Sequence, residues 1–211
     1  MTVLDQLATA LKRRDEVPNQ ELARQIVSEN DAAAVKELIA ALHHKDKAIQ
    51  SDCIKVLYEI GAAKPELIAK YHREFGKLLE SKHQRLVWGA MIALDTIAAK
   101  EPKGIYGMLP QILEVADNSG SVIARDHAVG ILVKLASLKP YKCTCLPLLI
   151  EQLNSCPNNQ FPMYVEMAAP VIDVDNRKRF QQVIERREPQ LDKESQKNRI
   201  LKVLKKLMKD G

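Results

Sequence analysis

The stretch MLPQILEVADNSGSVIARDHAVGIL, which spans residues 108–132, predicts two helices joined by a short polar turn. The turn is DNSGS at 117–121, whose residues favour turns over helices. Apolar residues at helical spacing flank it: Met108, Leu109 and Ile112 before the turn, and Ala124, Ala128 and Leu132 after it. The stretch is therefore typical of a helical hairpin whose two apolar faces pack together.

This hairpin recurs along the chain at a nearly constant interval. Lys-Pro or Glu-Pro pairs separate successive hairpins, and their prolines, at Pro65, Pro102 and Pro140, lie 37 and then 38 residues apart. Proline suits the first turn of a helix and pushes the residue before it out of the helical conformation. Pro110 and Pro147, again 37 residues apart, are predicted to lie inside first helices and to kink them. Such a period is typical of a solenoid, in which each unit buries its apolar face against its neighbours.

The second helix of each hairpin carries its apolar residues at equivalent positions. They are Ile49-Cys53-Leu57-Ile60, Leu86-Ala90-Leu94-Ile97, Ala124-Ala128-Leu132-Leu135 and the less regular Tyr164-Ala168-Ile172. Cys53 is therefore predicted to be an ordinary core residue. Aromatic residues make up only 4% of the chain and it has only eight glycines, a composition that disfavours strands and hairpin turns of a sheet.

The stretch 108–132 resembles a HEAT repeat, with Pro110 in its first helix and Ile123 and Arg125 in its second. In that family, a leucine-rich first helix containing a proline is followed by a short turn with Asp or Asn. A second helix with an xVRxxAxxxL pattern completes the repeat. Among the repeats of this chain, only Arg125 matches the arginine of the pattern; the equivalent positions hold Gln50, Val87 and Val165.

The resemblance covers roughly residues 31–175 and implies an all-α fold, a right-handed α-α superhelix of about five HEAT-like helical hairpins. We expect residues 1–211 to form a single domain. Residues 1–30 would supply N-terminal capping helices, residues 31–175 the core repeats, and residues 176–211 basic C-terminal capping helices. Caps are expected because the end of a solenoid must present a polar outer face.

Charge is distributed unevenly along the chain. Residues 177–210 contain 12 Lys and Arg against 5 Asp and Glu, whereas the rest of the chain contains 20 against 22. The basic residues of the predicted last helix are Lys202, Lys205, Lys206 and Lys209. This basic tail either caps the last apolar face or binds an acidic partner, and the need for a cap favours the first alternative.

Membrane and secretory signals are not evident in the sequence. No apolar run approaches the ~20 residues that cross a bilayer, so we expect no transmembrane segment. The first residues, MTVLDQLATALKRRDE, do not resemble a secretory signal. Four cysteines are too few for a disulfide scaffold of this length, which favours a cytoplasmic protein.

Catalytic and metal-binding signatures are not evident either. Cys143 and Cys145 lie too close together for the usual zinc-ligand spacing, so we interpret them and Cys156 as ordinary cysteines. The five histidines form no i, i+4 pair, and no phosphate-binding glycine motif or nucleophile elbow is present. We expect no enzymatic activity, no cofactor and no metal.

Candidate binding residues lie on the second helices, which the HEAT resemblance implies line a concave surface. They are Arg85, Trp88, Asp95, Arg125 and Asp126. Trp88 falls off the core face of its helix, so it is predicted either to anchor a ligand or to pack on the adjacent repeat. His127 beside Arg125 and Asp126 is interpreted as part of a solvated helix face.

These observations favour a non-catalytic scaffold that binds a protein or peptide along the concave face. The alternative is a nucleic-acid-binding helical-repeat protein, such as the alkylpurine DNA glycosylases that this chain resembles in length and build. A single tryptophan and a nearly neutral body make nucleic acid the less favoured partner. A third possibility, a HEAT-like subunit of a prosthetic-group lyase, is favoured by no particular residue.

Overall fold

The computed structural model describes residues 2–209, except for the side chains of Met208 and Lys209. The described residues form twelve α-helices and several 3-10 turns, and no strand occurs among them. The helices are α1 (Val17–Glu29), α2 (Ala32–Ala41), α3 (Lys47–Ala63), α4 (His72–Leu78), α5 (Gln84–Ile97), α6 (Pro102–Gly107), α7 (Leu109–Asn118), α8 (Val122–Ala136), α9 (Lys139–Ser155), α10 (Phe161–Ala168), α11 (Val174–Arg187) and α12 (Glu194–Lys209). The 3-10 turns are Val3–Gln6, Pro65–Leu67, Ala69–Tyr71, Ala169–Val171 and Glu188–Gln190.

The helices belong to two compact units, unit 1 up to Ala128 and unit 2 from Val129 onward. The border between the units falls inside α8. In unit 1, α3 packs against α1, α2 and α5, and α4 packs against α5. In unit 2, α9 packs against α10 and α11, and α12 packs against α10.

Short polar side chains fix where several helices begin. Asp31 accepts hydrogen bonds of 2.9 Å from the amides of Ala33 and Ala34 at the start of α2. Asp46 accepts a 2.8 Å bond from the amide of Ala48 at the start of α3. Each cap supplies an acceptor to an N–H group that has no partner within its own helix.

The prolines divide the hairpins as their spacing predicts. Lys64 lies outside the helical region and ends α3, and Pro65 opens the next 3-10 turn. Pro102 likewise opens α6, and Pro140 lies in the first turn of α9. The missing N–H of proline costs nothing at these positions, because a first-turn N–H has no acceptor in its helix.

Of the second pair of prolines, which we predicted to lie inside first helices, one lies inside a helix and the other lies at the start of one. Pro147 does lie inside α9, which continues to Ser155. Pro110 instead lies in the first turn of α7, after the chain leaves helical geometry at Met108. That hairpin therefore has two short first helices, α6 and α7, because the chain is broken where proline would have removed a hydrogen bond.

Two glycines allow α3 and α5 to approach closely in unit 1. A Cβ atom at Gly89 of α5 would collide with the side chain of Ile54 of α3. A Cβ atom at Gly61 of α3 would collide with Thr96 of α5. Since any larger residue would push the helices apart, these glycines set the distance between two adjacent second helices.

A buried arginine organises unit 2. Arg187 is only 5% exposed, and its guanidinium donates to the carbonyl oxygens of Leu153 and Asn154 at 2.8 Å and of Cys156 at 2.7 Å. It lies 4.7 Å from the ring centre of Phe161 and also donates to the side chain of Asn158. Arg187 thus satisfies the last carbonyls of α9, where helix C-termini leave acceptors unpaired and favour positive charge.

Candidate functional site

A groove with a cavity volume of about 430 Å³ lies within unit 1. Its lining comes from the segment before α1, from α1 itself, from α3 and α5, and from the first turn of α8. The volume falls within the roughly 300–1,000 Å³ of ordinary ligand sites. Unit 1 therefore contains a concave surface to which both second helices α3 and α5 contribute.

The base of the groove is held together by Asn19 and Asp52. Asn19 is only 1% exposed, accepts a 3.0 Å hydrogen bond from the amide of Ala8 and donates a 2.8 Å bond to Asp52. The other oxygen of Asp52 accepts a 2.7 Å bond from the amide of Thr9. These bonds attach the segment before α1 to both α1 and α3, and they thereby hold the base of the groove together.

Two further carboxylates of the lining are engaged in ion pairs. Asp15 binds Arg13 through two bonds of 2.8 and 2.9 Å, and the hydrogen bond from Arg13 holds the pKa of Asp15 below its usual value. Glu16 lies 2.8 Å from the ammonium of Lys55, which also binds Glu59 at 2.7 Å. Although partial burial opposes it, these hydrogen bonds raise the pKa of Lys55 above its usual value.

Tyr58 adds an aromatic surface beside this cluster. The ammonium of Lys55 lies 4.8 Å from the centre of the Tyr58 ring, a cation–π contact. Burial raises the pKa of the Tyr58 hydroxyl, so the hydroxyl stays neutral at physiological pH. The groove thus offers an uncharged ring next to a cation that is already paired.

Two arginines of the lining have no such partner. Arg14 and Arg85 are exposed, and neither forms an ion pair with any residue that the structure describes. Arg85 comes from the start of α5, and Arg14 from the segment before α1. The groove therefore presents two guanidinium groups that are available to a ligand.

Trp88 lies one turn after Arg85 on α5 and also lines the groove. Its side chain is half-buried, so it takes part in packing and also contributes surface to the groove. Its indole N–H is buried and has no hydrogen-bond partner among the described residues. No hydrogen bond therefore holds the ring in its present orientation.

The other three predicted binding residues do not line this groove. Asp95 lies 2.9 Å from Nδ1 of His127, and Arg125 lies 3.8 Å from Asp117. Asp126 is half-buried on α8. Of the five candidates, the structure brings together only Arg85 and Trp88.

The basic tail is a separate surface on α12. Lys202, Lys205 and Lys206 are exposed, and the side chain of Lys209 lies outside the described residues. Ile200 and Leu207 on the same helix are buried. Arg199 binds Glu166 of α10 through bonds of 2.8 and 2.5 Å, which joins α12 to the rest of unit 2.

Several groove residues were not predicted from the sequence, although the repeat contains a signal for some of them. The 37- and 38-residue offsets make Ala48, Arg85 and Ile123 equivalent, and all three line the groove. The first offset also relates Ser51 to Trp88, which are both lining residues. Extending the alignment from the core face to this neighbouring face would have identified the α3 side of the groove. Arg14 and Asn19 lie before the repeats, so no repeat offset indicates them.

Cysteines and metal ligands do not extend the site. All four cysteines are free thiols, of which Cys143 is exposed and the others are buried. Burial raises the pKa of the Cys53 thiol to about 12 and that of Cys145 to about 11, which disfavours the reactive thiolate. Among residues 2–207, whose side chains are described, no cluster of three His, Cys, Asp or Glu residues could hold a metal ion.

Of the helices described, none is both long and apolar enough to cross a membrane.

Comparisons with known proteins identify the fold. No known family model and no curated protein matches the chain. Among solved structures, an engineered protein is 20% identical, with a TM-score of 0.61 over 98% of this chain and 100% of the other. A designed armadillo repeat protein in complex with the peptide (KR)4 is 16% identical, with a TM-score of 0.66 over 96% of this chain and 97% of the other.

Another similar structure is that of computationally designed armadillo repeat proteins for modular peptide recognition. It is 16% identical and has a TM-score of 0.64, over 96% of this chain and 97% of the other. Likeness at such low identity concerns the fold alone. The chain has an armadillo/HEAT-like helical-repeat fold, and our prediction of an all-α class built from HEAT-like hairpins is confirmed.

Proposed function

We propose that this chain is a non-catalytic module that binds a protein or peptide segment in the groove of unit 1. The observation that carries the proposal is the half-buried Trp88 beside the unpaired Arg85, within a groove of about 430 Å³. Tryptophan and arginine are the residues most often found at the energetic centres of protein interfaces. Two designed relatives in fold are described as peptide-bound or as made for peptide recognition, which supports the same use here.

The groove suits an extended chain because equivalent residues of successive hairpins line it. Ala48, Arg85 and Ile123 occupy one repeat position on α3, α5 and α8. Solenoids use such regularly spaced positions as extended binding surfaces. A peptide lying across these helices would meet one such position from each hairpin.

Nucleic acid fits the groove less well. The lining contains the carboxylates of Asp15, Glu16 and Asp52. Asp15 and Glu16 engage Arg13 and Lys55, so of the four cations of the lining only Arg14 and Arg85 have no ion pair among the described residues, whereas protein surfaces that hold nucleic acid are usually rich in unopposed positive charge. The DNA-repair alternative therefore receives no support from this site.

Selection of short random peptides on the immobilised full chain tests the proposal. We expect particular peptides to be enriched, and we expect their affinity, measured by calorimetry, to fall by roughly tenfold or more in Trp88→Ala. Tyr71→Ala is a matched control, because Tyr71 is a half-buried aromatic residue that does not line the groove. Both variants are checked for folding by circular dichroism.

The proposal fails if no peptide is enriched above the uncoated support. It also fails if the enriched peptides bind Trp88→Ala and Tyr71→Ala equally well. In the second case, peptide binding would be real but would occur outside the groove.

A further inference from the structure

We infer that the groove of unit 1 selects peptide segments in which an acidic residue neighbours an apolar one. The inference depends on the proposed peptide-binding function and adds the chemistry of the ligand. It rests on the charges of the lining, on the position of Arg85 relative to Trp88, and on the apolar side chains around them.

The carboxylates of the lining already have donors. Asp15 is bound by Arg13, Glu16 by Lys55, and Asp52 by Asn19 and the amide of Thr9. A ligand cation at one of these carboxylates would share it with a donor that is already bound there. The groove therefore gains little from a basic ligand.

The four cations of the lining differ from the carboxylates, because two of them have an ion-pair partner and two do not. Arg13 and Lys55 are paired, whereas Arg14 and Arg85 have no ion-pair partner in the described part of the chain. A guanidinium presents a planar set of donors that matches a carboxylate. A ligand carboxylate can therefore form an ion pair with Arg14 or Arg85 without breaking an existing pair. This difference between the cations and the carboxylates of the lining favours acidic ligands.

Arg85 and Trp88 are three residues apart on α5, so their side chains emerge on the same face of the helix. The apolar surface of Trp88 is continued by Ile92 on the next turn and by Ile123, which is 40% exposed. A carboxylate at Arg85 would thus place the adjacent ligand residues against apolar side chains. This arrangement specifies an acidic residue beside an aliphatic or aromatic residue.

The inferred ligand is opposite in charge to the basic peptide (KR)4, with which a designed armadillo repeat protein of similar fold was solved. The inferred preference therefore comes from the lining residues of this chain and not from its fold. The lining also favours this ligand over nucleic acid, because two unpaired arginines, Arg14 and Arg85, suit a single carboxylate better than a row of repeated phosphates.

The same random-peptide selection on the wild-type chain, Arg85→Gln and Arg73→Gln tests the inference. Arg73 is an exposed arginine of α4 that does not line the groove, so its variant is a matched control. We expect peptides selected by wild type and Arg73→Gln to be enriched in Asp and Glu beside apolar residues. That acidic enrichment is expected to disappear with Arg85→Gln.

Binding measurements on the selected peptides provide the second readout. Replacing the acidic residue of a peptide by its amide, or Arg85 by Gln, should each weaken binding by roughly three- to tenfold. The two changes together should cost no more than either alone, because they remove the same ion pair. Affinity for the acidic peptide should also fall with added salt, and this dependence should be weaker in Arg85→Gln.

The outcomes distinguish the inference from the proposed function. If peptides are selected through Trp88 but lack acidic residues, or if Arg85→Gln selects the same acidic peptides, the inference is wrong and the proposed function stands. If no peptide is selected, both are wrong. If a short single-stranded oligonucleotide displaces the selected peptides more effectively than their amide forms do, the groove is a phosphate site and the inference is overturned.

Discussion

Asn19 donates a 2.8 Å hydrogen bond to Asp52 that links α1 to α3; Asn19 also accepts a hydrogen bond from the amide of Ala8, and Asp52 accepts one from the amide of Thr9. The pair therefore connects three parts of unit 1 through polar atoms at the base of the groove. Asn19 is nearly inaccessible to solvent, so removal of its side chain would leave buried polar groups without their partner.

Asn19→Ala is expected to destabilise the chain by about 2–3 kcal/mol, because it leaves the buried amide of Ala8 without an acceptor and removes one donor from Asp52. Urea denaturation measures the change in free energy of unfolding. Asn198→Ala, at an exposed position of α12, serves as the control and should change stability by no more than about 0.5 kcal/mol. Equal effects of the two substitutions would contradict the structural role of the Asn19–Asp52 pair.

Arg187→Met is expected to destabilise unit 2 by about 3 kcal/mol, since carbonyl oxygens at the end of α9 lose a buried charged donor. Arg187→Lys should recover only part of this loss, because an ammonium cannot reproduce the planar fork of donors. The corresponding change at the exposed Arg179 of α11 is the control. Hydrogen exchange of the α9 amides should increase in Arg187→Met and stay unchanged in Arg179→Met.

Gly89→Ala is expected to cost about 1–3 kcal/mol, because the new methyl group collides with Ile54 across the α3–α5 contact. Gly107→Ala is the matched control, since a Cβ atom there meets nothing within 4 Å. That control should be neutral or stabilising by up to about 1 kcal/mol, as expected for alanine at a helical position.

A double variant tests the stated cause of the Gly89 effect. Ile54→Ala removes Cγ1 and Cγ2, the two atoms nearest to the new methyl group, so combining it with Gly89→Ala should cost less than the sum of the two single changes. Strict additivity of the two free energies of unfolding would show that the collision is relieved in another way.

Asp173 provides a pH-dependent prediction in unit 2. Hydrogen bonds from the side chains of Lys142 and Asn176 lower the pKa of Asp173 from 3.8 to about 2. A lowered pKa in the folded state means that the ionised carboxylate stabilises the fold above about pH 4, and that this stabilisation is lost as the pH falls toward 2.

Stability measured between pH 5 and pH 2 should therefore fall more steeply in wild type than in Asp173→Asn, which keeps a side chain that can cap α11 but does not titrate. Lys142→Gln should flatten the curve partially, because it removes the hydrogen bond that lowers the pKa of Asp173 most. Parallel curves for all three proteins would contradict the assignment.

The helical hairpins could be predicted from the sequence because their signals are local. Apolar spacing, acidic caps such as Asp46 and the Lys64-Pro65 boundary all act within a few residues of the chain. The break at Met108 was missed because the sequence shows that Pro110 weakens a helix, but not whether the chain bends or divides there.

The groove could be predicted only in part, for two physical reasons. Asn19 and Arg14 come from outside the repeats, and the hydrogen bond of Asn19 to Asp52 crosses 33 residues of sequence. Asp95 and Trp88 were both predicted to lie on the binding surface because both are on a second helix, but the seven residues of helix between them extend roughly 10 Å. Arg85 lies one turn from Trp88, and of Arg85 and Asp95 it is Arg85 that lines the same cavity as Trp88.

The shared repeat position of Ala48, Arg85 and Ile123 has a consequence for how specificity changes. Successive hairpins place a small, a cationic and a branched apolar side chain at one register. In the proposed peptide complex, a substitution at one of these positions would alter the preference for one ligand residue and leave the others unchanged. Recognition in the proposed groove would therefore be divisible, and single substitutions, hairpin by hairpin, would give new partners without a change in the scaffold.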